Sequence, residues 1–213
     1  MSVFIIAEAG VNHNGDINMA HRLIDVAAEA KANAVKFQTF KAEALATEAA
    51  PKAEYQRRTA GGKISQIDML RQLEIPRDAH AELREHAKSL GLEFMSTPFD
   101  IESLYFLVED LGIERLKIPS GELTNGPLLV AAGRSAARTI YLSTGMSTMN
   151  EVREACGAIA FGRLSLEGPS RAVFLDTLGS EPGREALRQS TTVLQCTTEY
   201  PAPATDANLR ALW

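Results

Sequence analysis

Two lysines lie inside apolar runs that read as buried strands, where a charge is normally excluded. Lys36 lies in Ala-Val-Lys-Phe-Gln-Thr-Phe (34–40), and Lys117 lies in Arg-Leu-Lys-Ile-Pro-Ser-Gly-Glu (115–122). Removing an ammonium group from water is costly unless a partner receives it. A hydroxyl and a glycine closely follow Lys117, which favours a bound phosphate or carboxylate. The alternative is a structural ion pair between Lys117 and Glu122.

Polar side chains stand inside or at the end of each apolar run. They are Glu8, Lys36 and Gln38, Ser96 and Thr97, Lys117 and Ser120, Ser143 and Thr144, and Thr197 and Thr198. In a parallel barrel the carboxyl ends of the strands meet on one face, where active sites lie. Hydroxyl and ammonium groups around one concavity suit a phosphate, Glu8 adds an acid or base, and Gln38 adds a hydrogen-bond donor and acceptor. The pattern predicts an enzyme for a small phosphorylated or carboxylated substrate.

Six strands alternating with helices must position these side chains. Strands are predicted at residues 3–7, 34–40, 92–99, 115–122, 139–145 and 192–198. Helix starts are predicted at Asp16, Pro76, Asp100, Asn125, the capping box Thr148/Glu151, and Asp206. Six such units predict an α/β fold, a (β/α)8 TIM-type barrel truncated after about six units. An open six-stranded sheet is the alternative, because a complete barrel needs about 250 residues.

Two segments depart from this regular alternation. Residues 41–76 form a long charged connection, which predicts a lid or substrate loop, with hidden short helices as the alternative. Residues 162–190 carry Gly-Pro and Pro-Gly pairs and are interpreted as an irregular insertion. Dinucleotide-binding, Walker and Gly-x-Ser-x-Gly motifs are missing from the sequence, so nucleotide cofactors and serine-hydrolase chemistry have no support.

Composition restricts the partners. The net charge of −5, with both signs interspersed, gives no indication of nucleic acid or an anionic membrane as a partner. Cys156 and Cys196 lie in apolar surroundings without a Cys-x-x-Cys spacing, which predicts reduced thiols in a cytoplasmic protein. We also expect neither a signal peptide nor a membrane-spanning segment.

The four histidines give a weaker signal. His80 and His86 are six residues apart on one predicted helix, so they do not share a face for a metal ion. His21, also on a helix, is expected to be solvated. His13 lies in a strand-tip loop, where a structural role and a substrate contact remain equally open.

Six ordered motifs resemble one family, the sialic acid synthases, which comprise N-acetylneuraminate synthase and its bacterial relatives. The motifs are AEAGVNHNG (7–15), VKFQTF (35–40), STPF (96–99), KIPSGE (117–122), LSTGM (142–146) and CTTEYP (196–201), and residues 51–56 fit as well. The resemblance extends over the chain apart from about residues 162–190.

The resemblance implies condensation of phosphoenolpyruvate with N-acetylmannosamine, giving a nine-carbon acidic sugar and phosphate. It implies a phosphate site formed by Thr97, Lys117, Ser120, Ser143 and Thr198. It implies that Lys36 faces the carboxylate of phosphoenolpyruvate and that Glu8 is placed for proton transfer. It implies acceptor contacts from Gln38, Glu122 and Tyr200.

The resemblance also implies a divalent metal ion, Mn²⁺ or Mg²⁺, and a homodimer. In the family the two metal-binding histidines follow strands seven and eight, and a C-terminal antifreeze-like domain supplies an arginine to the partner subunit. We expect residues 1–213 to be an incomplete N-terminal barrel domain without these parts, and to have little synthase activity. The alternatives are a legionaminate or pseudaminate synthase with a modified acceptor, or a non-catalytic phosphoenolpyruvate-binding fragment.

Overall fold

The computed structural model describes residues 3–47, 65–197 and 202–212. The chain forms two compact units, Met1–Ser103 and Leu104–Trp213. Each contains three parallel strands whose spatial order follows the chain.

The first unit alternates strands with helices. Its elements are β1 (Ile6–Gly10), α1 (Ile17–Glu29), β2 (Ala34–Thr39), α2 (Ala42–Leu45), α3 (Gln66–Leu73), α4 (Arg77–Ser89) and β3 (Glu93–Pro98). Short helices therefore occupy both described ends of the 41–76 connection, which confirms the alternative of hidden helices there. The Pro51–Gln56 motif and the Gly61-Gly62 pair lie outside the described residues.

Local sequence signals begin and end these helices where expected. The Asp16 carboxylate accepts the backbone N–H groups of Asn18 and Met19, which caps α1. Pro76 precedes α4, and Gly91 follows it with φ +77°. The prediction that the first strand occupies residues 3–7 is wrong, since β1 begins at Ile6 and ends at Gly10. Glu8 therefore lies inside the strand.

A helix joins the two units in sequence. The Asp100 carboxylate accepts the Ser103 N–H at 2.7 Å, as predicted for a cap, and α5 (Ile101–Tyr105) continues into a π-helical turn, Phe106–Asp110. The second unit follows with β4 (Arg115–Ile118), a 3₁₀ turn (Ser120–Glu122), α6 (Gly126–Arg134), β5 (Thr139–Ser143), α7 (Met149–Arg163), α8 (Arg171–Gly179), α9 (Glu181–Ser190) and β6 (Thr191–Leu194).

The prediction that residues 162–190 are irregular is wrong, because helices occupy most of this segment. Ser170 and Ser180 cap α8 and α9, each accepting a backbone N–H through its hydroxyl. Pro182 stands in the first turn of α9, where no helical N–H is needed, so the Pro-Gly pair does not interrupt the helix. Both helices pack against α7.

The prediction that Asp206 begins a sixth helix is also wrong. Asp206 ends a 3₁₀ turn, Ala204–Asp206, and a second turn, Leu209–Leu212, follows it. Asn125 and the Thr148/Glu151 capping box begin α6 and α7 as expected. No helix in the described ranges is long and apolar enough to cross a membrane.

Candidate functional site

Lys36 is the centre of the polar group at the strand ends of the first unit. It lies on β2, opposite Glu8 on β1 and Met95 on β3, and only 6% of its surface is exposed. Its Nζ forms an ion pair with the Glu8 carboxylate and donates to Thr97 Oγ1 at 3.1 Å. An ammonium group has three N–H donors, and the described residues engage two of them. Lys36 is therefore stabilised in a buried position and retains a donor for a ligand.

Gln38 lies on the same face of β2, because side chains alternate along a strand. Its partner on β3 is Thr97. On β1 the register shifts after Glu8, so that Gly10, not Ala9, is opposite Phe37. The Glu8 carboxylate and the Gln38 amide both approach Gly10, whose φ is +54°. The structure thus brings together four predicted site residues, namely Glu8, Lys36, Gln38 and Thr97.

The other face of β2 and β3 belongs to the core, and on β3 it contains Ser96, a residue predicted for the site. Thr39 Oγ1 is 2.6 Å from Ser96 Oγ and 2.8 Å from His80 Nε2 on α4. Ser96 is fully buried among these groups. The expectation that Ser96 joins Thr97 at the site is wrong, because adjacent residues of β3 face opposite sides.

The Pro76 carbonyl determines which atom donates in each hydrogen bond of this buried group of side chains. His80 Nδ1 is 2.9 Å from the Pro76 oxygen, which can only accept, so Nδ1 carries a hydrogen. In the neutral ring Nε2 then accepts from the Thr39 hydroxyl, and the Ser96 hydroxyl donates to Thr39. Burial lowers the pKa of His80 below 6.5, which agrees with a neutral ring.

Stability should therefore fall in mild acid through His80. Below pH 6.5 the unfolded chain binds this proton while the folded chain does not, so acidification favours unfolding until the lower folded pKa is reached. His80→Gln keeps hydrogen-bonding groups but cannot titrate. We expect urea unfolding between about pH 8 and about pH 5 to show a smaller loss of stability in this variant than in the wild type. Equal losses of stability in the variant and the wild type would contradict the assignment of a neutral, buried His80.

His13 belongs to the same core. It is fully buried near Phe37, and its Nδ1 accepts the Gly15 N–H at 3.1 Å. Burial lowers the pKa of His13. Phe37 lies on the face of β2 opposite to Lys36, so the position of His13 favours the structural alternative, although its buried Nε2 has no hydrogen-bond partner among the described residues. It holds the loop that follows β1.

The second unit presents a separate polar group. Lys117 on β4 is opposite Tyr141 on β5, which places Lys117 and Ser143 on one face of these strands. Ser120, in the 3₁₀ turn after β4, accepts the Gly145 N–H at 2.9 Å. Ser143, the last residue of β5, is 1% exposed, and its hydroxyl has no partner among the described residues. A buried hydroxyl without a partner is a position where a ligand oxygen would be stabilised.

Other predicted residues of this unit are engaged differently. The Thr144 hydroxyl donates to the Leu194 carbonyl at 2.8 Å, so it joins β5 to β6 and does not serve the site as expected. Glu122 accepts from the Asn125 amide at 2.7 Å, beside the start of α6. Thr198 and Tyr200 lie outside the described residues, and Thr197 lies beyond the end of β6.

Both cysteines are free thiols. Burial raises the pKa of Cys156, on α7, to about 11, so this thiol is neutral near pH 7. Cys196 lies after β6, and its sulfur contacts the Leu194 carbonyl at 3.4 Å.

The expectation that His21 is solvated is wrong. His21 Nδ1 on α1 is 2.7 Å from His86 Nδ1 on α4. Glu82 lies 3.4 Å from His21 Nε2, and Asp25 lies 3.1 Å from His86 Nε2. Two histidine–carboxylate pairs at i,i+4 spacing, 21/25 and 82/86, were the signal in the sequence. Across residues 3–47, 65–197 and 202–212, no three His, Cys, Asp or Glu side chains could together hold a metal ion. The described residues therefore do not fit the implied metal.

Parallel β/α units with polar side chains at their strand ends define an α/β protein of the TIM-barrel type. The NeuB family model matches residues 23–213, and the chain belongs to this family. The predicted fold class, with six parallel strands in the described residues, and the predicted family are both confirmed.

Curated relatives and a solved structure agree with this membership. The chain is 43% identical to N,N'-diacetyllegionaminic acid synthase of Campylobacter jejuni, over 98% of the chain and 55% of that protein. It is 44% identical to the synthase of the same name from Legionella pneumophila, over 100% of the chain and 53% of that protein. The crystal structure of N-acetylneuraminic acid (sialic acid) synthetase from Leptospira borgpetersenii, in complex with citrate, matches with a TM-score of 0.70 at 32% identity, over 99% of this chain and 60% of that one. The chain thus spans about half the length of the curated relatives.

Proposed function

We propose that this chain forms the phosphoenolpyruvate-binding part of a synthase that joins phosphoenolpyruvate to an N-acetylated hexosamine. The observation that carries the proposal is the buried Lys36, held between Glu8 and Thr97 with a donor still available. Membership of the NeuB family and similarity to two N,N'-diacetyllegionaminic acid synthases support it.

In the first unit, Lys36 binds the carboxylate of phosphoenolpyruvate. A planar carboxylate can accept the remaining Lys36 N–H, and a charge-assisted bond of this kind is among the stronger ones in proteins. Glu8 is half exposed and contacts Lys36 through one oxygen, so its other oxygen is available for proton transfer near the reacting carbons. Gln38, which approaches Gly10 beside Glu8, contacts the acceptor sugar.

In the second unit, Lys117, Ser120 and Ser143 bind the phosphate. The buried Ser143 hydroxyl gains the partner that the described residues do not provide. Ser120 accepts the Gly145 N–H and can donate its own hydrogen to a phosphate oxygen. Thr97 accepts from Lys36 and, like Ser120, can still donate its own hydrogen, so it orients the ammonium group and remains a proposed phosphate contact.

The proposed reaction forms one carbon–carbon bond and replaces the bond between carbon and the phosphate oxygen with a bond to the oxygen of water. The methylene carbon of phosphoenolpyruvate attacks the acceptor aldehyde, whose oxygen takes up a proton. Positive charge develops on the carbon that carries the phosphate, and water adds there with loss of one proton, which balances the proton taken up by the aldehyde oxygen. Phosphate then leaves with the electrons of its bond to that carbon and takes the remaining hydroxyl proton as the ketone forms. Carboxylates placed near a developing positive charge stabilise it, which is the electrostatic contribution expected of Glu8.

The acceptor is N-acetylmannosamine or a diacetamido analogue. The two relatives with 43% and 44% identity are named for an N,N'-diacetyl product, which favours an acceptor with two acetamido groups. A homodimer in the cytoplasm remains part of the proposal.

Calorimetric titration with phosphoenolpyruvate tests the proposal directly. We expect one saturable site per chain, and lack of binding would refute the proposal. Phosphate release with each acceptor then distinguishes the two sugars, because the preferred acceptor should give the higher kcat/KM. We expect little turnover from residues 1–213 and more from a chain extended to the length of its relatives. Robust turnover from residues 1–213 would contradict that expectation.

A further inference from the structure

Two features distinguish Gly10 from the other residues of β1. Its φ is +54°, and it follows the register shift at which β1 passes over Ala9. A β-carbon built on Gly10 would lie 3.2 Å from Glu8 Oε1 and 3.7 Å from Gln38 Nε2. The space that a side chain would fill at Gly10 is therefore adjacent to the Glu8 carboxylate and the Gln38 amide.

The Glu8 carboxylate is the anionic partner of the Lys36 ammonium group. Lys36 is buried, and its charge is compensated by Glu8, with Thr97 as the second partner. A methyl group at residue 10 would press on the Glu8 carboxylate and remove water from it. The carboxylate would move away from Lys36 or lose hydration, and either change would weaken the ion pair.

We propose that Gly10 is a positioning residue, whose missing side chain allows Glu8 to reach Lys36 and Gln38 to lie beside it. Gly10 acts through these side chains and does not itself contact substrate. The inference rests on the proposed function for its effect on substrate, but its effect on Lys36 can be measured without any ligand.

Gly91 provides a matched control in the same unit. Its φ is +77°, and a β-carbon there would meet nothing within 4 Å. Gly91→Ala therefore shares the backbone strain of Gly10→Ala without the crowding. Gly10→Asn is a second variant. Asparagine adopts positive φ more readily than alanine, so this variant carries less backbone strain.

Lysine acetylation followed by mass spectrometry is the ligand-free test. In the wild type, Lys36 should react slowly compared with Lys41, whose side chain is 45% exposed. Gly10→Ala, Gly10→Asn and Glu8→Gln should each accelerate acetylation of Lys36 several-fold. None of them should change the acetylation rate of Lys41. Gly91→Ala should change neither rate. Equal Lys36 rates in Gly10→Ala, Gly10→Asn and Gly91→Ala would overturn the proposal.

Titration with phosphoenolpyruvate adds the functional readout. Gly10→Ala should weaken binding about tenfold, whereas Gly91→Ala should not. In a Glu8→Ala background, Gly10→Ala should cause little further loss, because the crowded group is gone. Full additivity there would argue against action through Glu8. If the wild type does not bind phosphoenolpyruvate, the proposed function fails while the acetylation result still decides the role of Gly10.

Discussion

Replacing Lys36 with methionine should weaken phosphoenolpyruvate binding by about 100-fold. Methionine keeps much of the apolar stem but removes the ammonium group that contacts Glu8 and Thr97. The substrate carboxylate would then face the Glu8 carboxylate without a cation between them. Stability should change little, because Glu8 is 52% exposed and its charge remains hydrated after the pair is lost.

Calorimetry and thermal unfolding measure the two effects separately. Lys41→Met is the matched control, since Lys41 lies in the same unit, carries the same charge and is 45% exposed beside Glu74. It should bind phosphoenolpyruvate almost as tightly as the wild type. Similar affinities for Lys36→Met and Lys41→Met would show that Lys36 does not contact the ligand.

Replacing Ser143 with alanine should weaken phosphoenolpyruvate binding about 30-fold without destabilising the chain. The hydroxyl is buried and has no partner in the described part of the chain, so its removal deletes a desolvated polar group that contributes nothing to folding. In the complex the same hydroxyl would donate to a charged phosphate oxygen, which is worth more than a neutral hydrogen bond.

Thr144→Val is the contrasting variant at the next position. The Thr144 hydroxyl donates to the Leu194 carbonyl, so its loss should cost about 1 kcal/mol of stability and leave binding nearly unchanged. Titration and urea unfolding of both variants should therefore give opposite patterns. A loss of stability in Ser143→Ala comparable to that in Thr144→Val would contradict the role proposed for Ser143.

The sequence predicted the polar strand ends because charge inside an apolar run has few structural explanations. Lys36, with Gln38 two residues later, indicated both a strand and a polar face, and Glu8 and Thr97 prove to be neighbours of Lys36. Ser96 was misassigned because two adjacent hydroxyl residues offer no guide to which one faces the site until the register of β3 is known.

The remaining features depend on contacts that are distant in sequence. The register shift at Ala9 is a property of the pairing between β1 and β2, and no local residue pattern specifies it. The helices α8 and α9 were missed because the Gly-Pro and Pro-Gly pairs were interpreted as breakers, although Gly168-Pro169 precedes α8 and Pro182 stands in the first turn of α9. The contact between His21 and His86 required α1 and α4 to pack together, which helical spacing alone does not establish.

The raised pKa of the half-buried Cys156 thiol makes the chain convenient for spectroscopy. With a pKa of about 11, it is ionised in only about one molecule in ten thousand at pH 7. Maleimide or iodoacetamide dyes react with the thiolate, so they should leave Cys156 on α7 unlabelled. Cys196 is then the attachment point for a fluorophore, just after β6 and close to the carbonyl of Leu194. The natural sequence thereby offers a single reporter position near the strand ends of the second unit without any engineered cysteine.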